Sequence, residues 1–166
     1  MKETPAPEFQ IRSATPEDIP LVLAFVRELA EYERLSHLVS ATEARLRESL
    51  FGEHPGTEVL LGFSGDTPAG FAVYFHNFST FLGVKGLWLE DLYVRREMRR
   101  RGYGRALLLH VARIARNRGC GRFEWAALDW NETAIRFYKS LGAVALDDWT
   151  SFRVTGPALD KLADMR

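Results

Sequence analysis

The chain has 166 residues, 46% apolar and 27% charged, with 22 basic and 22 acidic side chains and no net charge. That is the composition of an ordinary globular protein with room for one sizeable core, and it gives no global electrostatic support to a nucleic-acid or membrane role. The single cysteine, Cys120, excludes an internal disulfide and lacks Cys/His neighbours at metal-ligand spacing, so no metal is expected and a reducing compartment, the cytoplasm, is the default.

Residues 1–8 have no apolar core of the kind a signal peptide needs and are expected to form a loose tail. One domain is expected over 9–166, since no repeat, linker or run of membrane-spanning length interrupts it. Phe9 to Arg12 reads as a first strand. Thr15-Pro16-Glu17-Asp18 reads as a helix start, with Ile19, Val22, Val26 and Leu29 on one apolar face. The next position on that row is Glu33: either a carboxylate stands where a core residue is due, or the helix frays near Tyr32 and Glu33 meets water. Ser40-x-x-Glu43 has the capping-box pattern of a second helix. Thr57 to Phe63 and Gly70 to Phe78 read as strands, Ser79 to Gly86 as a loop, and Leu87 to Val94 as a buried central strand. A helix follows to about Arg118, then a fifth strand from Arg122 to Leu128. Asn131 is placed to cap a helix that carries Ala134, Ile135, Tyr138 and Leu141 and ends at Gly142. Ala143 to Leu146 and Trp149 to Val154 read as a closing hairpin, and Pro157 to Met165 as a last helix. Three consecutive strands predict an antiparallel meander, and the strand-helix-strand around Gly102 predicts a parallel crossover. The expected fold is therefore α/β (α+β), a mixed, mostly antiparallel sheet flanked by helices.

The turn between the central strand and the following helix carries the chemistry. Gly102 and Gly104 open a helix whose first N–H groups are free to meet an anion, and Arg95, Arg96, Arg99, Arg100, Arg101 and Arg105 crowd around them. The Walker phosphate loop needs a Gly-Lys-Ser/Thr that is absent, and the third small residue of the dinucleotide fingerprint is replaced by Leu107. What remains is Arg99-x-x-Gly102-x-Gly104, either a phosphate cradle or a tight turn with a solvated arginine run.

That motif resembles the acyl-CoA pyrophosphate motif of the GNAT N-acetyltransferases. Arg-Glu-Leu-Ala-Glu-Tyr-Glu at 27–33, Phe-Gly-Glu-His-Pro at 51–55, Leu-Glu-Asp-Leu-Tyr-Val at 89–94, Leu-Asp-Trp-Asn-Glu at 128–132 and Phe-Tyr-Lys-Ser-Leu-Gly-Ala at 137–143 resemble the spermidine/spermine N1-acetyltransferase family. The Leu-Asp-Trp-Asn form is closer to its thialysine N-epsilon-acetyltransferase branch. The chain departs from the family in a shorter connection between the second and third strands and in the loop around Phe78 to Gly86. The resemblance implies a strand pair splayed to receive acetyl-CoA and a homodimer, while the balanced charge leads to the expectation of no nucleic-acid or membrane partner. It implies transfer of an acetyl group from acetyl-CoA to a primary amine of a diamine, polyamine or thialysine-like amino acid. A homologue that binds acyl-CoA with little catalysis and a nucleic-acid module using the arginine run are the alternatives.

Such a transfer needs a neutral amine, while a free alkylamine has a pKa near about 10.4, so a carboxylate must hold or relay its proton. Glu90 is the candidate, with a structural ion pair as its other reading. A regular strand sets it on one face with Trp88, Leu92 and Val94 and turns Asp91 to the other. The resemblance gives Leu92, Tyr93 and Val94 to backbone contacts with pantetheine and the oxyanion. Arg99, Arg100, Arg101, Gly102, Tyr103, Gly104 and Arg105 then form the cradle, and Asn131 is a further CoA contact or simply a cap. It makes Tyr138 the donor to the leaving sulfur, against a merely packed aromatic. It gives Tyr32, Glu33, Glu124, Trp125 and Ala126, with Glu90, to the acceptor.

Overall fold

The computed structural model describes residues 8–165, which divide after Ala126 into two compact units, each taken in its own frame. The expected N-terminal tail lies almost wholly outside the described residues.

The first unit is a five-stranded sheet in sequence order. It contains β1 (Phe9–Ser13), β2 (Thr57–Ser64), β3 (Thr67–Ser79), β4 (Val84–Val94) and β5 (Phe123–Trp125). The first four strands run antiparallel and β5 lies parallel to β4, as the meander and crossover predict. Three helices accompany it: α1 (Ile19–Tyr32), α2 (Glu43–Phe51) and α3 (Tyr103–Asn117). Ahead of α1, Pro16–Asp18 is a 3-10 turn. The Asp18 carboxylate there accepts from the Thr15 N–H at 2.8 Å and from two Arg12 nitrogens at 2.6 and 2.8 Å, which holds its pKa well below the usual carboxylate range. The second helix is capped by Thr42 rather than Ser40, because the Thr42 hydroxyl is the one within reach of the Arg45 N–H, at 3.3 Å.

One face of the sheet packs on α1 and α2. Ile19, Val22 and Phe25 meet Leu50, Val59, Leu61, Phe71 and Tyr93 there. Phe25 and Phe71 are fully buried with ring centroids 5.3 Å apart, and each such side chain contributes roughly 1.5–3 kcal/mol by leaving water. On the other face α3 buries Tyr103, Leu107, Leu108, Val111 and Ala115. A two-residue turn at Gly65-Asp66, with Gly65 at φ 60, joins β2 to β3, and Thr80 to Gly83 joins β3 to β4. Both strands are therefore longer than expected: β3 starts at Thr67 and β4 at Val84. By contrast β5 keeps only three of the seven residues expected of it.

The second unit holds α4 (Glu132–Ser140) and α5 (Pro157–Ala163). Asn131 caps α4 through its side-chain oxygen, 3.2 Å from the Ala134 N–H, and Gly142 follows the helix at φ 91. The expected closing hairpin is not formed: among the described residues, none from Ala143 to Val154 is in a strand. A lone two-stranded ribbon is marginal without a third strand to back it, and this unit supplies none. No helix among the described residues is long and apolar enough to cross a membrane.

Candidate active site

The strand β4 is not regular. Its register against β3 pairs Leu89 with Tyr74 and Asp91 with Val73, so Glu90 is an extra residue, a β-bulge. Residues directly opposite in a ladder share a face, and Val73 and Phe71 lie on the α1 face. Asp91 and Tyr93 therefore lie on that face too, while Leu92 and Val94, opposite Ala72 and Gly70, lie on the α3 face. The alternation expected from sequence fails at Glu90: Asp91, not Leu92, follows it onto the same side. Trp88, opposite Phe75, is on this side as well and donates its indole N–H to Glu90 Oε2 at 2.8 Å.

The bulge gathers carboxylates. Burial pushes Asp91 up to about 6, with further repulsion from the charges of Glu90 and Glu33. Burial also raises Glu33, which caps α1 at the point where the helix stops. The helix ends at Tyr32, yet Glu33 is partly buried rather than left to water. Among the described residues none of these three acids has a cation partner. Sequence reasoning missed Asp91; the available signal was a pair of consecutive acids in an apolar strand, which cannot both reach solvent on one exposed face of a regular strand.

Glu124 pairs with Trp88 in register and so reaches the same face, but it is engaged. Asn77 donates to it at 2.9 Å and Arg122 Nε lies 2.7 Å away, off the line of a hydrogen bond. Trp125, opposite Leu89, falls on the α3 face with Phe123, away from the acids, and Ala126 is exposed.

A second feature adjoins this one. The parallel pairing of β4 with β5 runs only from Leu87 to Leu89, so among the described residues no strand pairs with Glu90 to Val94 on that edge. The Arg95 N–H bonds Ala69 on the β3 side, so by alternation Tyr93 points the same way. Leu92 and Val94 then turn their N–H and C=O groups to the unpaired edge. Beyond the strand, Gly102 adopts φ 81 and Arg100 φ 63, the left-handed region, which in Arg100 is backbone strain held by the turn. The first bond of α3 is Ala106 N–H to Gly102 C=O, so the N–H groups of Tyr103, Gly104 and Arg105 precede it without a side-chain cap. A Cβ at Gly104 would meet only Val94 Cγ2, at 3.7 Å. The fold itself does not demand glycine there; the missing Cβ leaves the helix end open to a ligand.

The arginines divide. Arg95 grips Glu28, with Nη2 2.7 Å from Oε1, and lies over the Phe25 ring. Arg99 donates Nε to the Val94 carbonyl at 2.9 Å and stacks 4.3 Å from the Tyr32 centroid. Both guanidinium groups serve the fold. Arg101 reaches the Glu97 carbonyl at 3.5 Å. Among the described residues the side chains of Arg96, Arg100 and Arg105 carry no hydrogen bond or ion pair. The Tyr103 side chain is likewise committed, stacked 4.0 Å from Phe9 with its hydroxyl 2.9 Å from Ser64 Oγ, so only its backbone is available. Free amides at a helix N-terminus, the uncommitted Arg100 and Arg105 and an unpaired strand edge fit a diphosphate followed by an extended amide arm, which is the chemistry of coenzyme A.

In the second unit, Asn131 spends its side-chain oxygen on the cap, and Tyr138 lies on α4 with its ring 5.3 Å from that of Phe137.

Comparison with known proteins agrees with this geometry. The family described as Acetyltransferase (GNAT) family matches residues 23–143. A thialysine N-epsilon-acetyltransferase of Mus musculus is 38% identical, covering 93% of this chain and 96% of that protein. An L-ornithine N5-acetyltransferase of Arabidopsis thaliana is 33% identical over 92% of this chain and 87% of its own. Among solved structures, an integron cassette protein from the mobile metagenome of V. cholerae superposes with a TM-score of 0.79 at 31% identity, covering 95% of this chain and 98% of that one.

Proposed function

The chain belongs to the GNAT acetyltransferase family, and from that premise we propose that it acetylates the primary amine of a small cationic acceptor, a diamine, polyamine or thialysine-like amino acid, within a ternary complex. GNAT enzymes use acetyl-CoA as co-substrate, and acetyl-CoA, when bound, supplies the acetyl group as an activated thioester. In this reading the amides of Tyr103, Gly104 and Arg105, with Arg100 and Arg105 side chains, hold the diphosphate. The Leu92 backbone groups and the Val94 N–H hold the extended arm along the unpaired edge of β4, the Val94 carbonyl being taken by Arg99.

One observation carries the acceptor assignment: Glu33, Glu90 and Asp91 gather beside that edge without a cation of their own. Three such acids complement a substrate ammonium. An Asp91 that titrates near 6 is suited to take its proton, directly or through water, near neutral pH. Glu90 is fixed in direction by Trp88 and steers the ammonium. For Asn131 and Tyr138 the proposal keeps the roles the resemblance implies. Tyr138→Phe keeps the ring and tests the hydroxyl alone: turnover falls while acetyl-CoA affinity is retained.

The test is a set of initial rates across an amine panel at fixed acetyl-CoA, run for the parent and for Gly104→Val. Acetylated cationic amines, with a raised acetyl-CoA KM in the folded variant, support the reading. An unchanged acetyl-CoA dependence removes the cradle, and no turnover on any cationic amine removes the acceptor class.

A further inference from the structure

A pocket of about 530 Å³ is lined by Glu28, Glu31, Tyr32, Tyr93, Arg96 and Arg99. Two of its charges are already used. Glu28 is held by Arg95, and Arg99 is pinned to the Val94 carbonyl and stacked on Tyr32, which makes the aromatic wall rigid. Two remain: among the described residues the side chains of Glu31 and Arg96 have no hydrogen-bond or ion-pair partner. A carboxylate and a guanidinium, both unspent and set around aromatic rings, complement a zwitterion rather than a simple cation.

The pocket also stands at a definite distance from the acids. Tyr93 follows Asp91 by two residues on the same face of β4, and Tyr32 directly precedes Glu33. At a rise of about 3.3 Å per residue, the Tyr93 wall lies roughly 7 Å along the strand from Asp91, near the reach of an extended lysine-like side chain.

We infer that this pocket binds the α-amino and α-carboxylate end of an ω-amino acid acceptor, with Arg96 taking the carboxylate and Glu31 the α-ammonium, and so favours amino acids over the matching diamines. The inference rests on the proposed acceptor site for the ω-amine. Its physical basis is twofold. A guanidinium binds a carboxylate through paired N–H donors. A diamine offers no carboxylate: its far ammonium still meets Glu31, but the Arg96 charge beside it is left unneutralised, so the site discriminates by uncompensated repulsion as well as by a lost attraction.

The decisive pair of probes is L-ornithine and 1,4-diaminobutane, which differ by one carboxylate. Each is titrated calorimetrically into the protein without acetyl-CoA, for the parent, Arg96→Gln and Arg96→Glu, with thermal unfolding to verify that the variants are folded. The parent binds ornithine more tightly. Arg96→Gln lowers the ornithine-to-diaminobutane affinity ratio by roughly tenfold, the usual effect of losing one charge-assisted contact. Arg96→Glu inverts the preference, since it offers a second carboxylate to the distal ammonium. A ratio that is the same in all three proteins, or no ornithine binding by the parent, overturns the assignment. Acetylation assays on the same compounds judge the proposed function separately. If the binding ratio moves as expected while the parent acetylates neither compound, the pocket stands and the acetyl-acceptor reading falls.

Discussion

On the α3 face of the sheet, Glu58 accepts from both terminal nitrogens of Arg118 and from the Tyr74 hydroxyl at 3.2 Å, and the Arg118 contact holds its pKa below the usual range. On the α1 face, Asp91 is largely buried, feels the charges of Glu90 and Glu33, has no cation partner among the described residues, and is pushed up to about 6. Both are carboxylates on strands that pair with β3. Glu58 closes a network that fastens the end of α3 to β2 and β3, whereas Asp91 holds a charge that the fold leaves uncompensated. Charges that serve stability come with their partners; charges left in want of one are candidates to receive a substrate.

The strongest way to break this contrast is Asp91→Asn. Turnover on cationic amines should fall about 10²-fold or more, and the limb of the pH profile near 6 should vanish. Stability should move the other way. Folded Asp91 binds its proton more tightly than the unfolded chain, so its favourable contribution is complete below 3.8 and is lost as pH rises through about 6. The variant should therefore be more stable than the parent at pH 8, by up to about 3 kcal/mol of unfolding free energy, and match it in strong acid. Lower stability at pH 8 combined with parental turnover would show Asp91 to be a structural acid.

The converse substitution is Glu58→Gln. It should cost about 1 kcal/mol at pH 7, the scale of a partly exposed ion pair, and leave turnover unchanged. The lowered Glu58 pKa means that its stabilisation is present above 4.5 and is lost as pH falls through the folded value, so the difference should close in acid. Chemical denaturation at two pH values measures it, and a turnover loss larger than the stability loss would place this network in the catalytic apparatus.

The smallest effect is expected at Glu124, which shares the face of the acids but is already held by Asn77 and Arg122. Glu124→Gln should change stability by less than about 1 kcal/mol and the amine KM by no more than about twofold. A KM raised tenfold would move Glu124 from the paired class to the unpaired one.

Much of this was legible in the sequence because it rests on local chemistry. The turn at Gly102, the cap at Asn131, the apolar row of α1 and the meander followed by a crossover all follow from residue type and spacing. Other features were not legible there, the failure of the closing hairpin expected from Ala143 to Val154 among them. The cap of α2 fell to Thr42 because both Ser40 and Thr42 satisfy the local rule, and only the path of the chain chooses between them. The shortness of β5 depends on its partner strand, which periodicity within Arg122 to Leu128 does not report. The bulge at Glu90 is a property of the pair β3 and β4, and it inverted the side assigned to Leu92, Val94 and Asp91.

That bulge sets different tolerances for two kinds of genetic change. Replacing Glu90 alters one side chain, but deleting its codon would return β4 to strict alternation against β3. Every residue up to Val94 would then either turn over, sending Asp91 among the α3 contacts and Leu92 among the acids, or slip by one position and drag Arg95 from Glu28. Related sequences should accordingly vary more freely in the identity of residue 90 than in the number of residues between Leu89 and Arg95, and a variant library scored for function should show single-residue deletions in this interval as far more damaging than substitutions at Glu90 that keep it polar.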